Sequence, residues 1–292
     1  MLDSDNRLFV LARQGRRPPS ALVSIGVTFA ILIVAMIGGR LVGGLVARAV
    51  FPGADLVTDV LGFLPIYLCL WVWLRARGKR SFQSLGLERR HPIAWASRGA
   101  LVGAIMMTAV ALVIAVLPRT AVAPGQLQAN GPTALAAGLL ALVGTTVQAS
   151  GEEVLFRGWL FATLGARYRP WIAVSVSSLL FGLAHALNPH ATVLGLANLT
   201  LFGAFLAFLA LAEGGLWSAC AWHTTWNWTE SSLFGLSGSG GPVHPALLMS
   251  VQPEGPNILT GGSFGPDGGI IQTMVMLVGL AVVAVLPESG RH

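Results

Sequence analysis

Long apolar runs, separated by short polar segments, follow one another along nearly the whole chain. A helix that rises 1.5 Å per residue needs about 20 apolar residues to cross the hydrocarbon core of a bilayer. The expected fold class is therefore all-α, a polytopic transmembrane helix bundle of about eight spans. The runs that predict these spans are residues 22–50, 56–74, 97–117, 133–162, 171–187, 193–211, 214–231 and 270–287.

The same pattern predicts the domain organisation. Residues 1–21 are polar and basic and are expected to form a cytoplasmic N-terminal tail, and residues 288–292 a C-terminal tail. Everything between, residues 22–287, is expected to be one membrane-embedded domain. The fourth run is long and charged in its second half, which leaves open whether that half leaves the bilayer.

Composition supports a membrane rather than an aqueous environment. Of the 292 residues, 54% are hydrophobic and 10% are charged, whereas about 25% are charged in a typical soluble domain. The polar residues are too few to cover a water-facing surface, so the lipid bilayer is an expected partner. The net charge of +6 is carried in short segments between apolar runs, which argues against nucleic acid as a partner.

The distribution of basic residues predicts the orientation of the bundle. Arginines and the single lysine concentrate in the N-terminal segment and in the 75–98 and 163–170 loops, whereas the 118–132 and 232–269 loops carry few or none. Cytoplasmic loops are usually the basic ones. We therefore expect both termini in the cytoplasm, and residues 232–269, rich in Gly, Pro and Ser, as an irregular external loop.

Three polar clusters interrupt the apolar runs, and the first lies in the fourth run. Glu153 and Arg157 are four residues apart, share a helix face and can pair. Glu152 points about 100° away from Glu153 around the helix and has no such partner, which suits a proton-transfer role. The alternative is a helix that leaves the membrane here, with all three side chains in water.

The other two clusters each contain a histidine. His185 ends the fifth run, and His223 and Asn227 share one helix face in the seventh. Each has an ordinary alternative: a histidine at the lipid–water interface, or polar residues that link helices by hydrogen bonds. Glu230 continues the face of His223 and is a weaker candidate. Together the three clusters supply acid–base groups and hydrogen-bond donors, which amide hydrolysis by water requires.

Several other chemistries lack their motifs. The sequence contains no Walker A, no G-x-G-x-x-G and no H-E-x-x-H motif. Cys69 and Cys220 form no C-x-x-C pair, so no thiolate metal site is predicted. These absences argue against an ATP-driven transporter and against the commonest pattern of zinc proteases.

The three ordered motifs resemble those of a known family. Glu152-Glu153-x-x-x-Arg157, Phe181-x-x-x-His185 and His223-x-x-x-Asn227 are similar to the motifs of the CAAX-processing and bacteriocin-processing (CPBP, or Abi) membrane proteases, which include CAAX prenyl protease type 2. The matched core spans roughly residues 135–231.

The resemblance implies a role for each motif residue. Glu152 would activate the attacking water with the help of His185, and His223 and Asn227 would stabilise the oxyanion. Glu153 and Arg157 would support the site, with the arginine fixing the acidic pair or contacting substrate. The substrate would be a peptide or protein in or at the membrane. CAAX-type C-terminal processing is one form of this activity, and a bacterial plasma membrane is the expected location.

Two other functions remain open from the sequence. One is a metal-dependent protease, in which Glu152, His185 and His223 would bind a divalent metal such as zinc and leave a fourth position open. The other is a non-catalytic immunity or scaffolding protein whose polar residues only pair helices. A proton-coupled transporter is a weaker possibility, because Glu and His also build proton relays.

Overall fold

A computed structural model describes residues 2–50, 55–88, 91–254 and 257–285, and these residues form an all-α bundle with one small two-stranded sheet. The predicted C-terminal tail, 288–292, lies outside the described residues. The helices are α1 (Arg7–Ala12), α2 (Ala21–Val50), α3 (Asp55–Trp73), α4 (Pro92–Ala115), α5 (Gln126–Glu153), α6 (Ala162–Arg167), α7 (Pro170–Ala184), α8 (Val193–Glu213), α9 (Trp217–Trp228), α10 (Asn257–Thr260) and α11 (Ile270–Val285). The strands are β1 (Thr120–Pro124) and β2 (Met249–Pro253).

Each predicted span corresponds to a helix, and the protein is a helical membrane protein. In the part of the chain that the structure describes, five helical stretches are long and apolar enough to cross a bilayer, and α7 and α11 are shorter apolar helices. The number of spans stays a prediction. The five long stretches are Ala21–Gly43, Val60–Gly78, Pro92–Ala115, Gln126–Arg167 and Val193–Glu213.

The outer surface of the bundle exposes many apolar side chains, and several polar and charged side chains are buried in its largely apolar interior. Glu153, Arg157, Asn198, Glu230 and Gln272 are all buried. Exposed apolar side chains on the outer helices include Ile33, Leu41, Leu45, Leu101, Ile105, Leu139, Val143, Met274 and Val278. In hydrocarbon an exposed leucine costs nothing, whereas an exposed charge costs several kcal/mol (about 2.5–3.5 for Arg, Lys or Asp on insertion scales). This distribution therefore fits a lipid environment.

Small residues allow the central helices to approach closely. Gly99 and Gly103 of α4 face the backbone of Ser218 and Trp222 of α9. A Cβ at Gly103 would lie 2.5 Å from the carbonyl oxygen of Trp222, which is too close for any side chain. Thr225 of α9 donates a hydrogen bond of 2.9 Å to a backbone carbonyl of α4. Close backbone approach and interhelical hydrogen bonds are the usual means of helix association in membranes.

The fourth predicted span is one continuous helical stretch that keeps its charges inside the bundle. It runs from α5 through a π-helical segment, Val154–Phe161, into α6. Residues 151–165 are all buried, so other parts of the protein cover this part of the helix. The charged half of this span therefore lies inside the bundle.

The N-terminal segment is more ordered than a free tail. Its helix α1 buries Leu8 and Phe9 completely, and the ring of Phe9 lies 5.3 Å from that of Phe161. Asn6 caps α1 by accepting a hydrogen bond from the N–H of Leu8, and it donates one of 2.9 Å to the carbonyl of Leu211. The predicted tail, residues 1–21, thus contains a short helix docked against α6 and α8.

The 232–269 segment is less irregular than its composition predicts. Its strand β2 pairs antiparallel with β1, in a register from Thr120 opposite Pro253 to Pro124 opposite Met249. The segment also contains α10 and two 3₁₀ turns. Asn198 of α8 donates hydrogen bonds of 2.8 and 3.0 Å to the carbonyls of Asp267 and Gly269. These contacts hold the segment against one end of the bundle.

Candidate active site

One large cavity inside the bundle brings together residues from all three motifs. Its volume is about 1020 Å³, and it lies between α2, α3, α5, α7, α8, α9 and the 232–269 segment. Glu152, His185, His223 and Asn227 all line it. On α5 the lining residues recur every three or four positions, so one face of this helix runs along the cavity; they include Asn130, Thr133, Ala137, Ala141, Thr145, Gln148 and Glu152.

Glu152 is held in place without being neutralised. Its Oε1 accepts a hydrogen bond of 2.9 Å from Nε2 of Gln148, one turn earlier on α5. Its Oε2 is buried and has no hydrogen-bond partner among the described residues. The amide of Gln148 carries no charge, so the carboxylate of Glu152, which lines the cavity, is not paired with a cation through this contact. A carboxylate in this setting is suited to accept a proton.

Glu153 points away from the cavity and forms the centre of a buried polar cluster. Its Oε1 accepts hydrogen bonds of 2.9 Å from Nη1 of Arg157 and of 2.9 Å from Nδ1 of His223. The Glu153 and Arg157 side chains are fully buried. The ion pair expected from their spacing is present, and the contact with His223 is an addition that the sequence did not predict.

Arg157 is not one of the described residues that line the cavity. Its guanidinium carbon lies 4.2 Å from the ring centroid of Phe181, and its Nε and Nη2 have no hydrogen-bond partner in the described part of the chain. Gly203 of α8 makes room for it, because a Cβ there would lie 3.2 Å from Nη2. This position favours support of Glu153 over contact with a substrate.

Phe181 explains why the second motif contains an aromatic residue as well as a histidine. Its ring centroid lies 5.0 Å from that of His185 and 6.1 Å from that of His223. It also stacks on Phe202 at 5.9 Å. One buried ring thus packs against both motif histidines and the arginine. Such packing restricts the rotamers of the polar groups around it.

In both motif histidines Nδ1 makes a hydrogen bond within the protein, so Nε2 is the ring nitrogen that is available for other interactions. Nδ1 of His185 lies 2.9 Å from the carbonyl oxygen of Phe181. A carbonyl only accepts, so Nδ1 carries the hydrogen, and Nε2 of the neutral ring keeps a lone pair. Nδ1 of His223 likewise donates to Glu153. Nε2 of His223 is an acceptor in the neutral ring and a donor in the imidazolium, whose charge Glu153 would balance.

Asn227 follows His223 by one turn of α9 and also lines the cavity. Its backbone carbonyl accepts a hydrogen bond of 2.8 Å from the hydroxyl of Ser231. No side chain or backbone group of the described residues forms a hydrogen bond with its amide. Two N–H donors are therefore available at the cavity wall.

The residues considered as metal ligands do not form a ready coordination site. Glu152, His185 and His223 line the same cavity. Within residues 2–50, 55–88, 91–254 and 257–285, however, no group of three or more His, Cys, Asp or Glu side chains is arranged to hold a metal ion. Metal dependence therefore stays a prediction, which a chelator experiment can test.

Three polar residues that line the cavity were missed, or only weakly indicated, by the sequence motifs. Gln148 precedes Glu152 by one helical turn, and its position inside an apolar run was the signal that could have identified it. Glu230 also lines the cavity and is 1% exposed. Asp267 lies in the 232–269 segment, where the local sequence gives no sign that the chain returns to the site.

Comparison with known families agrees with the motif assignment. Residues 134–229 match the family described as type II CAAX prenyl endopeptidase Rce1-like. This match confirms the resemblance inferred from the three motifs, and all of their residues fall inside the matched range. No curated protein matches the chain.

Proposed function

We propose that this Rce1-like membrane protein is an endopeptidase in which Glu152 is the general base and water is the nucleophile. The observation that carries the proposal is the shared cavity. Helices α5, α7 and α9 each bring one motif to it, so that Glu152, His185, His223 and Asn227 line a single space. Glu153 pairs with Arg157 and His223 away from the cavity, whereas Glu152 lines the cavity and accepts a hydrogen bond only from the uncharged Gln148.

Water activation follows from two acceptors at the cavity wall. Oε2 of Glu152 and Nε2 of the neutral His185 ring each offer a lone pair. A water molecule between them donates one O–H to each, so that its own lone pair is available to attack. As the water oxygen bonds to the scissile carbonyl carbon, its proton moves to Glu152.

Oxyanion stabilisation uses the donors on α9. The carbonyl oxygen becomes negative in the tetrahedral intermediate, and an N–H of the Asn227 amide donates to it. His223 adds a second donor through Nε2–H when its ring is protonated, and Glu153 then carries the balancing charge. With Glu152, Glu153 and Arg157 ionised, the imidazolium brings this cluster to zero net charge, which lowers the cost of burial.

Collapse of the intermediate completes the reaction. The protonated Glu152 returns its proton to the nitrogen of the leaving amine, and the C–N bond breaks. The products are a carboxylic acid and an amine, and Glu152 is again ionised. The acid passes the second proton of the water to the amine, which gives a carboxylate and an ammonium group. Glu153 and Arg157 act as positioning residues, because they touch His223 and Phe181 and do not line the cavity.

The walls of the cavity suggest where the substrate lies. One side is apolar and is formed by α2 and α3, through Leu32, Ala35, Met36, Phe63 and Ile66. Met36 is also half exposed on the outer surface of the bundle, so this side adjoins the lipid. Such a wall suits the hydrophobic part of a peptide or protein in the membrane, including the modified C-terminal segment of a CAAX-type substrate.

The direct test is peptide cleavage by the purified protein. We expect wild-type protein in dodecyl maltoside to cut members of a fluorogenic peptide panel, and mass spectrometry to show a product gaining one water across the broken bond. We expect no such product with Glu152→Gln. Equal cleavage by both proteins would reject Glu152 as the base, and no cleavage by either would favour an immunity or scaffolding role.

A further inference from the structure

A second acidic group lies in the same cavity, away from Glu152. Glu230 follows His223 by seven residues on α9 and its π-helical extension, Thr229–Leu233. A helix rises 1.5 Å per residue, so the two side chains are separated by about 10 Å along the axis. Asp267, from the 232–269 segment, also lines this part of the cavity. None of these carboxyl oxygens is used in the hydrolysis proposed above.

Glu230 is buried without the partners that a carboxylate normally requires. It is 1% exposed, and its Oε1 has no hydrogen-bond partner among the described residues. Gly238 keeps the space beside its other oxygen open, because a Cβ there would lie 3.0 Å from Oε2. A buried charged group without a partner is costly, so this arrangement indicates that a ligand supplies the missing interaction.

Asp267 is fixed beside Glu230 by uncharged donors. Its Oδ1 accepts a hydrogen bond of 2.6 Å from Nε2 of Gln272, and its Oδ2 accepts one from the hydroxyl of Ser239. Gly238 lies beside Oε2 of Glu230, and the next residue, Ser239, donates to Asp267, so the two carboxyl groups lie close together. Neither has a cation as a partner in the described part of the chain.

The described lining of the cavity has an unbalanced charge. It contains the carboxyl groups of Glu152, Glu230 and Asp267 and the imidazole rings of His185, His223 and His244, and it contains no lysine or arginine. An anionic group beside Glu230 and Asp267 would face two carboxyl groups. A cationic group would instead receive charge-assisted hydrogen bonds in a site shielded from water.

We propose that Glu230 and Asp267 form a subsite that binds a cationic side chain, lysine or arginine, of the peptide substrate. The proposal rests on the endopeptidase function above and adds a charge preference to it. An extended peptide advances about 3.3 Å per residue, so 10 Å along α9 corresponds to about three residues. The cationic residue therefore lies about three positions from the scissile bond.

Peptide binding tests the subsite without requiring cleavage. The probes are fluorescent peptides that are acetylated and amidated, so that their ends are neutral. Within each set the peptides differ only at one position, which holds lysine, norleucine or glutamate. Successive sets move this position along the peptide. Binding is measured by fluorescence anisotropy in dodecyl maltoside, an uncharged detergent. At the best position, we expect the lysine peptide to bind wild-type protein about 10–100-fold more tightly than the norleucine peptide, and the glutamate peptide to bind weakest.

Variants assign this preference to Glu230. In Glu230→Gln the lysine-to-norleucine ratio should fall close to one, whereas norleucine binding should change little. Glu213→Gln is the matched control, because Glu213 is also buried but lies at the other end of α9, where it accepts hydrogen bonds from Ser218. Should Glu230→Gln fail to fold, Gly238→Ala keeps both carboxyl groups and fills the space beside Oε2. It should reduce lysine binding selectively.

The outcomes separate this proposal from the proposed hydrolysis. A lysine preference that is the same in wild type, Glu230→Gln and Gly238→Ala would overturn the subsite, as would no preference at any position. Cleavage of neutral peptides would still stand in that case. Conversely, a lysine preference that depends on Glu230 in a protein that cuts no peptide would support the subsite and reject the catalytic assignment.

Discussion

Glu152 and Glu153 are adjacent in the sequence, but the structure gives them different partners, so their amide variants should fail in different ways. Glu152 lines the cavity and accepts one hydrogen bond, from the uncharged Gln148. Glu153 accepts two hydrogen bonds on one oxygen, from Arg157 and His223, and its side chain is fully buried. Replacing each carboxylate by an amide of nearly the same shape separates a catalytic loss from a structural one.

Glu152→Gln should lower the rate and leave the fold intact. The amide oxygen of the new side chain can still accept the hydrogen bond from Gln148, so packing is preserved. The variant loses only the ability to take a proton from water. General-base catalysis contributes about 10²–10⁴-fold, and we expect kcat/KM to fall by at least about 10²-fold. A neutral amide is also cheaper to bury than a carboxylate, so the melting temperature should not decrease.

Glu153→Gln should instead weaken the protein. It leaves Arg157 buried at zero exposure without its counter-charge. Breaking a buried ion pair by removing one partner typically costs about 3–5 kcal/mol. The amide oxygen that replaces the carboxylate is also a weaker acceptor for Nδ1 of His223, because a hydrogen bond to a charged acceptor is stronger. We therefore expect a lower melting temperature in detergent, a smaller yield of monodisperse protein, and reduced activity as a consequence of both.

The two variants are compared by cleavage of a fluorogenic peptide and by thermal unfolding followed through tryptophan fluorescence. Glu213→Gln, which removes a buried carboxylate outside the cavity, is the control for nonspecific effects. Normal cleavage by Glu152→Gln, together with a stable but inactive Glu153→Gln, would reverse the two roles. Full activity in both variants would show that catalysis does not depend on either glutamate.

Four further predictions follow from the same geometry. Asn227→Ala should reduce kcat by up to about 10²–10³-fold with little change in stability, as measured by peptide cleavage and thermal unfolding, because it removes an oxyanion donor; unchanged kcat would exclude that role. EDTA and 1,10-phenanthroline should leave activity unchanged if Glu152 acts alone, whereas inhibition reversed by added zinc would support the metal-dependent reading. Gly103→Val should destabilise the protein in a thermal-unfolding assay by about 1–3 kcal/mol, because its Cβ would collide with the backbone of Trp222; an unchanged melting temperature would argue against the close contact between α4 and α9. Single cysteines in residues 232–269 should react with an impermeant thiol reagent from outside the cell, and protection there would reverse the orientation.

Apolar runs were sufficient to predict the helices, because the bilayer imposes one length and one surface chemistry on every span. The ion pair of Glu153 and Arg157 was also predictable, since it depends only on the spacing within one helix. For the same reason the face shared by His223 and Asn227 could be read from their separation. Each of these features is local, and local patterns are what one sequence displays.

Features that depend on distant contacts could not be predicted. Strands β1 and β2 pair across more than a hundred intervening residues, and each is only 5 residues long. The hydrogen bond from His223 to Glu153 joins α9 to α5. Asp267 reaches the cavity only because Asn198, buried in α8, binds the backbone around it. None of these distant contacts leaves a periodic signal along the chain.

The charged residues of the first motif lie in a part of the helix that the surrounding helices bury. Glu152, Glu153 and Arg157 occupy less than half of the helix circumference, and this charged face has to be turned away from hydrocarbon. Residues 151–165 are all buried, and the small residue Gly203 opposite Arg157 gives its guanidinium room inside the bundle. In place of lipid, the guanidinium of Arg157 thus contacts the ring of Phe181, and Glu153 contacts His223. The neighbouring helices must therefore be in place before the charged cluster is stable in the membrane. By the same geometry they bring His185, His223 and Asn227 to the cavity that Glu152 faces, so packing of the bundle and assembly of the site are one event.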